Sequence, residues 1–137
     1  MIEAAKVIAL LTERKSSLAT AESCTGGLLG ALLTDVPGAS KVYLGGVISY
    51  AYEVKENLLG VDAALLKEMG AVSEEVAIRM AQGARERLHA DFALAVTGNA
   101  GPGTDPMNPN VGEIYIACAT DTQSFCKKLS LHGNRGE

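Results

Sequence analysis

In 137 residues the chain has no tryptophan, two phenylalanines, two histidines and three cysteines, and its acidic residues outnumber its basic ones. Each scarcity narrows the function. His89 and His132 stand apart from each other and from further ligand types, which argues against a metal site. Cys24, Cys118 and Cys126 show no paired spacing and read as free thiols of a reducing cytoplasm. A net charge of −4 gives no electrostatic footprint for nucleic acid. The longest apolar run, residues 26–33, falls far short of a membrane span. Glu3, Lys6, Glu13, Arg14 and Lys15 leave no room for the apolar core of a secretory signal.

What is present fits one compact domain over residues 1–137. Its hydrophobic fraction is 47% and it has 15 glycines. A chain of this length buries roughly two-thirds of the surface its unfolded form exposes. Ala4, Val7, Ile8 and Leu11 recur at helical spacing over residues 2–13. A short buried strand, 18–22, runs into SCTGG and an apolar helix, 28–33, that Pro37 and Gly38 end. A strand over 42–50 contains the pair Gly45-Gly46 and leads to a helix over about 52–58, closed by Gly60. Asp62 caps a helix through Met69, and Ser73 caps a long one that buries Val76, Ala77, Met80, Ala84 and Leu88. FALAV, 92–96, is apolar throughout, as in a sheet covered on both faces. After a Gly-, Pro- and Asn-rich loop over 97–110, strands at about 111–119 and 123–131 form a hairpin around 120–122. The expected architecture is α/β: a three-layer α/β/α sandwich with a mixed sheet.

Three junctions carry chemistry. In residues 37–55, PGASKVYLGGVISYAYEVK, Ser40, Tyr50 and Lys55 supply a hydroxyl, a phenol and an amine. These are the parts of a serine nucleophile with a lysine base. A straight strand of about ten residues spans roughly 33 Å, so Ser40 and Tyr50 meet only if the chain folds back, for which Gly45-Gly46 would serve. The plainer reading of Lys55 is a solvated helical lysine. Against it, the positive end of the helix dipole and an apolar sheet nearby would lower its pKa. Tyr43 and Tyr52 compete with Tyr50. The second junction is ESCTGG, 22–27, where Ser23, Thr25, Gly26 and Gly27 open a helix in a turn suited to an anion, or simply to tight packing. Cys24 there is a rival nucleophile, though no histidine lies near in sequence to activate it. The third is TGNAGPGT, 97–104. Thr97, Gly98, Ala100, Gly101 and Gly103 follow the buried strand, where open α/β sheets bind ligands. Pro102, Pro106 and Pro109 rule out a dinucleotide fingerprint, because no helix can follow.

AESCTGG (21–27), PGAS (37–40), GGVISYAYEVK (45–55), GAVSEEVA (70–77) and TGNAGP (97–102), in this order, resemble the CinA carboxy-terminal domain family, the nicotinamide-nucleotide amidases. The resemblance covers nearly the whole chain. It implies an α/β/α domain that hydrolyses the carboxamide of nicotinamide mononucleotide to nicotinate mononucleotide and ammonia, in pyridine nucleotide recycling. It implies Ser40, Tyr50 and Lys55 as the catalytic residues, the turns 23–27 and 97–103 as substrate contacts, and no metal or organic cofactor. The chain departs from the family pattern at Asn99, where an apolar residue is common, and in TDPMNPN, where the loop is usually more charged. It also stops at GNRGE, where a terminal helix is expected to follow. An uncovered sheet face would then favour a homo-oligomer, most simply a dimer. The alternative function is a non-catalytic nucleotide-binding module of a competence/damage-inducible protein of the CinA type.

Overall fold

The computed structural model describes residues 2–136. Helix α1 (Ile2–Arg14) leads to strand β1 (Leu18–Glu22), then α2 (Leu28–Thr34), a 3-10 turn (Ala39–Lys41) and β2 (Tyr43–Ile48). Helices α3 (Tyr52–Leu59), α4 (Ala63–Met69) and α5 (Glu74–Leu88) follow. Strands β3 (Phe92–Gly98), β4 (Glu113–Ala119) and β5 (Ser124–Ser130) close the chain. The capping residues act as their chemistry dictates. The Asp62 carboxylate accepts from Ala64 N at 2.9 Å and the Ser73 hydroxyl from Val76 N at 3.2 Å. Gly60 ends α3 at φ 69°, in the left-handed region open to glycine.

The sheet has five strands in the order β2-β1-β3-β4-β5. β1 runs parallel to β2 and β3, whereas β3-β4 and β4-β5 are antiparallel. The expected mixed sheet between helical layers is therefore the observed one. Alternation along the strands decides which layer each residue joins. Ala19, Ala21, Ala93, Ala95, Ala117 and Ala119 face α5, where they pack on Val76, Met80 and Ala84. Small side chains on the sheet let the helix lie close. Helices α3 and α4 stand beside α5 in this layer, through Leu59 and Leu66. On the opposite face Leu18 packs with Ile8, Leu11, Leu33 and Val42, which closes the α1/α2 layer. That cover reaches Phe92 and Leu94 but leaves Phe125 on β5 55% exposed.

The glycine pair of β2 does not fold the strand back. Val47 and Ile48 continue in parallel register with Ala21 and Glu22. Gly46 instead makes room for its neighbours: a Cβ there would stand 2.2 Å from Thr20 Oγ1 and 2.9 Å from the Tyr43 hydroxyl. Those two hydroxyls hydrogen-bond at 2.6 Å. Tyr43 is thus committed inside the fold. Ser40 and Tyr50 remain at opposite ends of an extended strand.

Candidate active site

Parallel pairing brings the carboxyl ends of β1, β2 and β3 to one edge of the sheet, the place where α/β sheets open a crevice. Ser23, the first residue after β1, donates its N–H to Val96 O at 3.0 Å and is thereby fixed to β3. Ser49, just after β2, donates its N–H to Glu22 O at 2.7 Å and its hydroxyl to the same oxygen at 3.2 Å. The chain then turns into α3, whose second turn sends Lys55 back under this junction.

Lys55 is the largest fully buried side chain of the domain. Its Nζ lies 2.8 Å from Ser23 Oγ, 2.5 Å from Ser49 O and 3.1 Å from Tyr50 O. Burial is the main influence on the amine and lowers its pKa to about 8, while Asp105 and then Cys24 pull it upward. When neutral, the amine has two hydrogens for the two carbonyls and a lone pair for the serine proton. The third partner is then an acid and no longer an acceptor.

Ser40 is not part of this arrangement. It is exposed in the 3-10 turn before β2 and borders a separate depression with Pro37, Ala39 and Leu44. The expected pairing of Ser40 with Lys55 fails because β2 stays extended between them. Tyr50 is brought to the site in two ways. Its carbonyl accepts from Lys55, and its side chain, 64% exposed, borders the cleft of about 300 Å³ that opens above Ser23.

The opposite wall of that cleft is the segment after β3. Thr97, Gly98, Ala100 and Gly103 border it together with Asp105 and Arg135. Thr97 and Gly98 also have structural work. The Thr97 hydroxyl donates to Ala71 O at 2.7 Å, and a Cβ on Gly98 would stand 2.3 Å from Ile114 Cδ1. Gly101 holds a positive φ of 79° and accepts at its carbonyl from Arg135 Nε at 2.8 Å. The guanidinium is thereby placed at the cleft, a role that the reading of GNRGE did not assign to it.

The turn after β1 is already supplied with an anion of its own. The buried Glu22 side chain accepts at Oε1 from Thr25 Oγ1, Gly27 N and Leu29 N at 2.5, 3.1 and 2.9 Å. At Oε2 it accepts from Gly30 N at 3.0 Å. The donors that would greet a ligand phosphate at the start of α2 are therefore taken. Thr25, Gly26 and Gly27 do not border the cleft. Cys24 does, but burial pushes its thiol up, against weaker downward pulls from its own backbone, Lys55 and Arg135. A thiol held protonated is a poor nucleophile. Among the described residues no three of His, Cys, Asp and Glu gather as metal ligands, and no helix is long and apolar enough to cross a membrane.

A mixed-sheet α/β domain with a serine at the end of one strand and a buried lysine facing it defines a class. The comparisons make that class specific. The CinA C-terminal domain profile matches residues 2–137, and the chain belongs to that family. It is 51% identical over 132 residues to a "Putative competence-damage inducible protein" of Thermoanaerobacter pseudethanolicus, covering 96% of this chain and 32% of that protein. It is 55% identical over 116 residues to a "CinA-like protein" of Synechococcus sp. (strain CC9902), covering 85% and 28%. The chain thus spans about a third of the length of the curated relatives it matches. Among solved structures it is similar to the competence/damage inducible protein CihA of Agrobacterium tumefaciens. That match has 36% identity, a TM-score of 0.92, and covers 97% of this chain and 82% of that one. A CinA superfamily protein of Escherichia coli matches with 32% identity, TM-score 0.93 and coverages of 97% and 77%.

Proposed function

We propose that the domain hydrolyses the carboxamide of nicotinamide mononucleotide, with Ser23 rather than Ser40 as nucleophile and Lys55 as its base. The observation that carries this reading is the buried amine 2.8 Å from a serine hydroxyl, with two backbone carbonyls accepting its remaining hydrogens. Lys55 takes the Ser23 proton as Oγ attacks the carboxamide carbon. The oxyanion that forms is met by N–H groups of the turn at Cys24 and Thr25, which Glu22 does not occupy. The C–N bond then breaks, and the leaving nitrogen takes the proton from Lys55 to depart as ammonia. Water, deprotonated by the same amine, cleaves the Ser23 ester and releases the carboxylate. Tyr50, on the cleft rim, offers its phenol to the carboxamide.

Family membership and the cleft together support this substrate. The cleft volume of about 300 Å³ suits one mononucleotide. Arg135 and the backbone of residues 100–103 form the wall that favours a phosphate, since Glu22 fills the start of α2. A non-catalytic nucleotide-binding module has no use for a desolvated lysine beside a serine, so the catalytic reading is preferred. The three free thiols suit a cytoplasmic setting.

Ammonia release from nicotinamide mononucleotide tests the assignment. Ser23→Ala is expected to abolish turnover with the fold intact, and Ser40→Ala to retain it. The reverse pattern would return the nucleophile to Ser40.

A further inference from the structure

Asn99 and the 104–110 loop, the two interior departures from the family pattern, prove to be a single hydrogen-bond network. Asn99 Nδ2 donates to Asn108 O and Asn110 O at 3.0 and 3.1 Å, and Asn99 Oδ1 accepts from Asp105 N at 2.9 Å. The buried amide thus holds the backbone of Asp105 in place. The Asp105 side chain then joins three segments. Oδ2 accepts from the Tyr52 hydroxyl and from Ala71 N, and Oδ1 from Met107 N. Tyr52 lies one turn before Lys55 on α3. A carboxylate bordering the cleft is therefore fastened to the helix that carries the amine.

We propose that Asp105 is a positioning residue for Lys55: through Tyr52 it anchors α3, and its carboxylate is the counter-charge to the amine. The inference rests on the reading of Lys55 as base, but its test does not need turnover. The other groups around Lys55 leave Asp105 as the principal acid on the cleft. The Tyr50 carbonyl accepts from the amine, and Cys24, Tyr50 and Arg135 all border the cleft. Glu22 turns its carboxylate into the start of α2. Glu53 is exposed, the exposed Glu56 and Lys67 border a depression beside Tyr52 and Met107, and Arg87 of α5 binds the far end of α3 at Asn57 O and Leu58 O. Burial alone would drive the pKa of Lys55 lower than about 8, and Asp105 is the first of the two groups opposing that drift.

Two variants separate charge from anchorage. Asp105→Asn removes the charge together with one acceptor oxygen, and Tyr52→Phe removes the Tyr52 anchor while keeping the charge, so a shift confined to the first belongs to the charge. NMR titration of lysine labelled with 13C at Cε, assigned through Lys55→Met, reads the amine directly. Asp105→Asn is expected to move the Lys55 midpoint down by on the order of half a pH unit or more. The limb of the pH–rate profile is expected to move with it. Tyr52→Phe is expected to leave the midpoint in place and to raise KM, as the loop wall loosens. A Lys55 midpoint unchanged in folded Asp105→Asn overturns the proposal, as does an equal shift in Tyr52→Phe. If the midpoint shifts but no variant or parent releases ammonia, the substrate assignment fails and the inference stands.

Discussion

Gly83 and Leu59 meet backbone to backbone: a Cβ on Gly83 would stand 1.9 Å from the Leu59 carbonyl oxygen. Through this approach α5 sets the position of α3, and with it Lys55. Gly83→Ala is expected to push the helices apart and to cost about 1–3 kcal/mol, as overpacked sites do. Urea denaturation reads the loss, and ammonia release should fall with it. A variant of parental stability would show that the helices separate freely.

The second prediction concerns pH. With Lys55 as the proposed base, turnover needs the neutral amine, so the rate is expected to rise as pH passes through about 8, the value to which burial lowers Lys55. One unit below that midpoint only about a tenth of the enzyme has its base. Lys55→Met is expected to lose both the rate and the limb. A limb that survives in the variant would identify another group as base.

The same residue makes stability depend on pH. Its folded pKa of about 8 lies below the usual 10.5, so between those values the unfolded chain binds more protons. The burden of charging Lys55 in place is fully present below pH 8 and is relieved as pH climbs to 10.5. Relative to Lys55→Met, the parent is expected to gain roughly 3 kcal/mol across that window. Paired urea melts at its two ends measure the difference. A constant difference would mean that the folded amine titrates normally.

The fourth prediction is association. Phe125, Lys127 and Leu129 of β5 lie opposite Cys118, Ile116 and Ile114 of β4, on the face that α1 and α2 cover only as far as β3. We expect a homo-oligomer, most simply a two-fold dimer, burying this strip. Sedimentation equilibrium at micromolar concentration decides it. A stable, soluble monomer of 14.2 kDa would show that the strip tolerates water.

The architecture was legible because each element carried its own period and punctuation. Ser73 and Asp62 announced their helices, and the alanine-rich strands announced a sheet covered on both faces. The lysine was legible for the same kind of reason, lying early in a helix beside an apolar strand. Its partner was not. Proximity in sequence favoured Ser40, fifteen positions away, over Ser23, thirty-two away. The parallel register reverses that order, because it aligns Glu22 with Ile48 and so puts the residues after both strands side by side. The glycines of 22–27 left an anion site and tight packing both open: the same pattern serves an external phosphate or the chain's own Glu22, and the hydrogen bonds show the second. Arg135 lay in GNRGE, a segment marked only by its likeness to the family, and nothing in the residues themselves placed it over the cleft.

The two sides of the cleft differ in how they are built, and that difference bears on how such a domain diversifies. Ser23 and Lys55 hang from the paired ends of β1 and β2, with every residue of β1 buried. The facing wall, residues 99–112, is a loop laced by side-chain amides and carboxylates, with Asn99 at its centre. Ser23 and Lys55 therefore sit on strand ends and the facing wall on a separate loop, the two joined where Asp105 meets Tyr52. Descendants of this domain are free to exchange much of that loop for another of equal span, and so admit other ligands, provided a carboxylate still meets Tyr52.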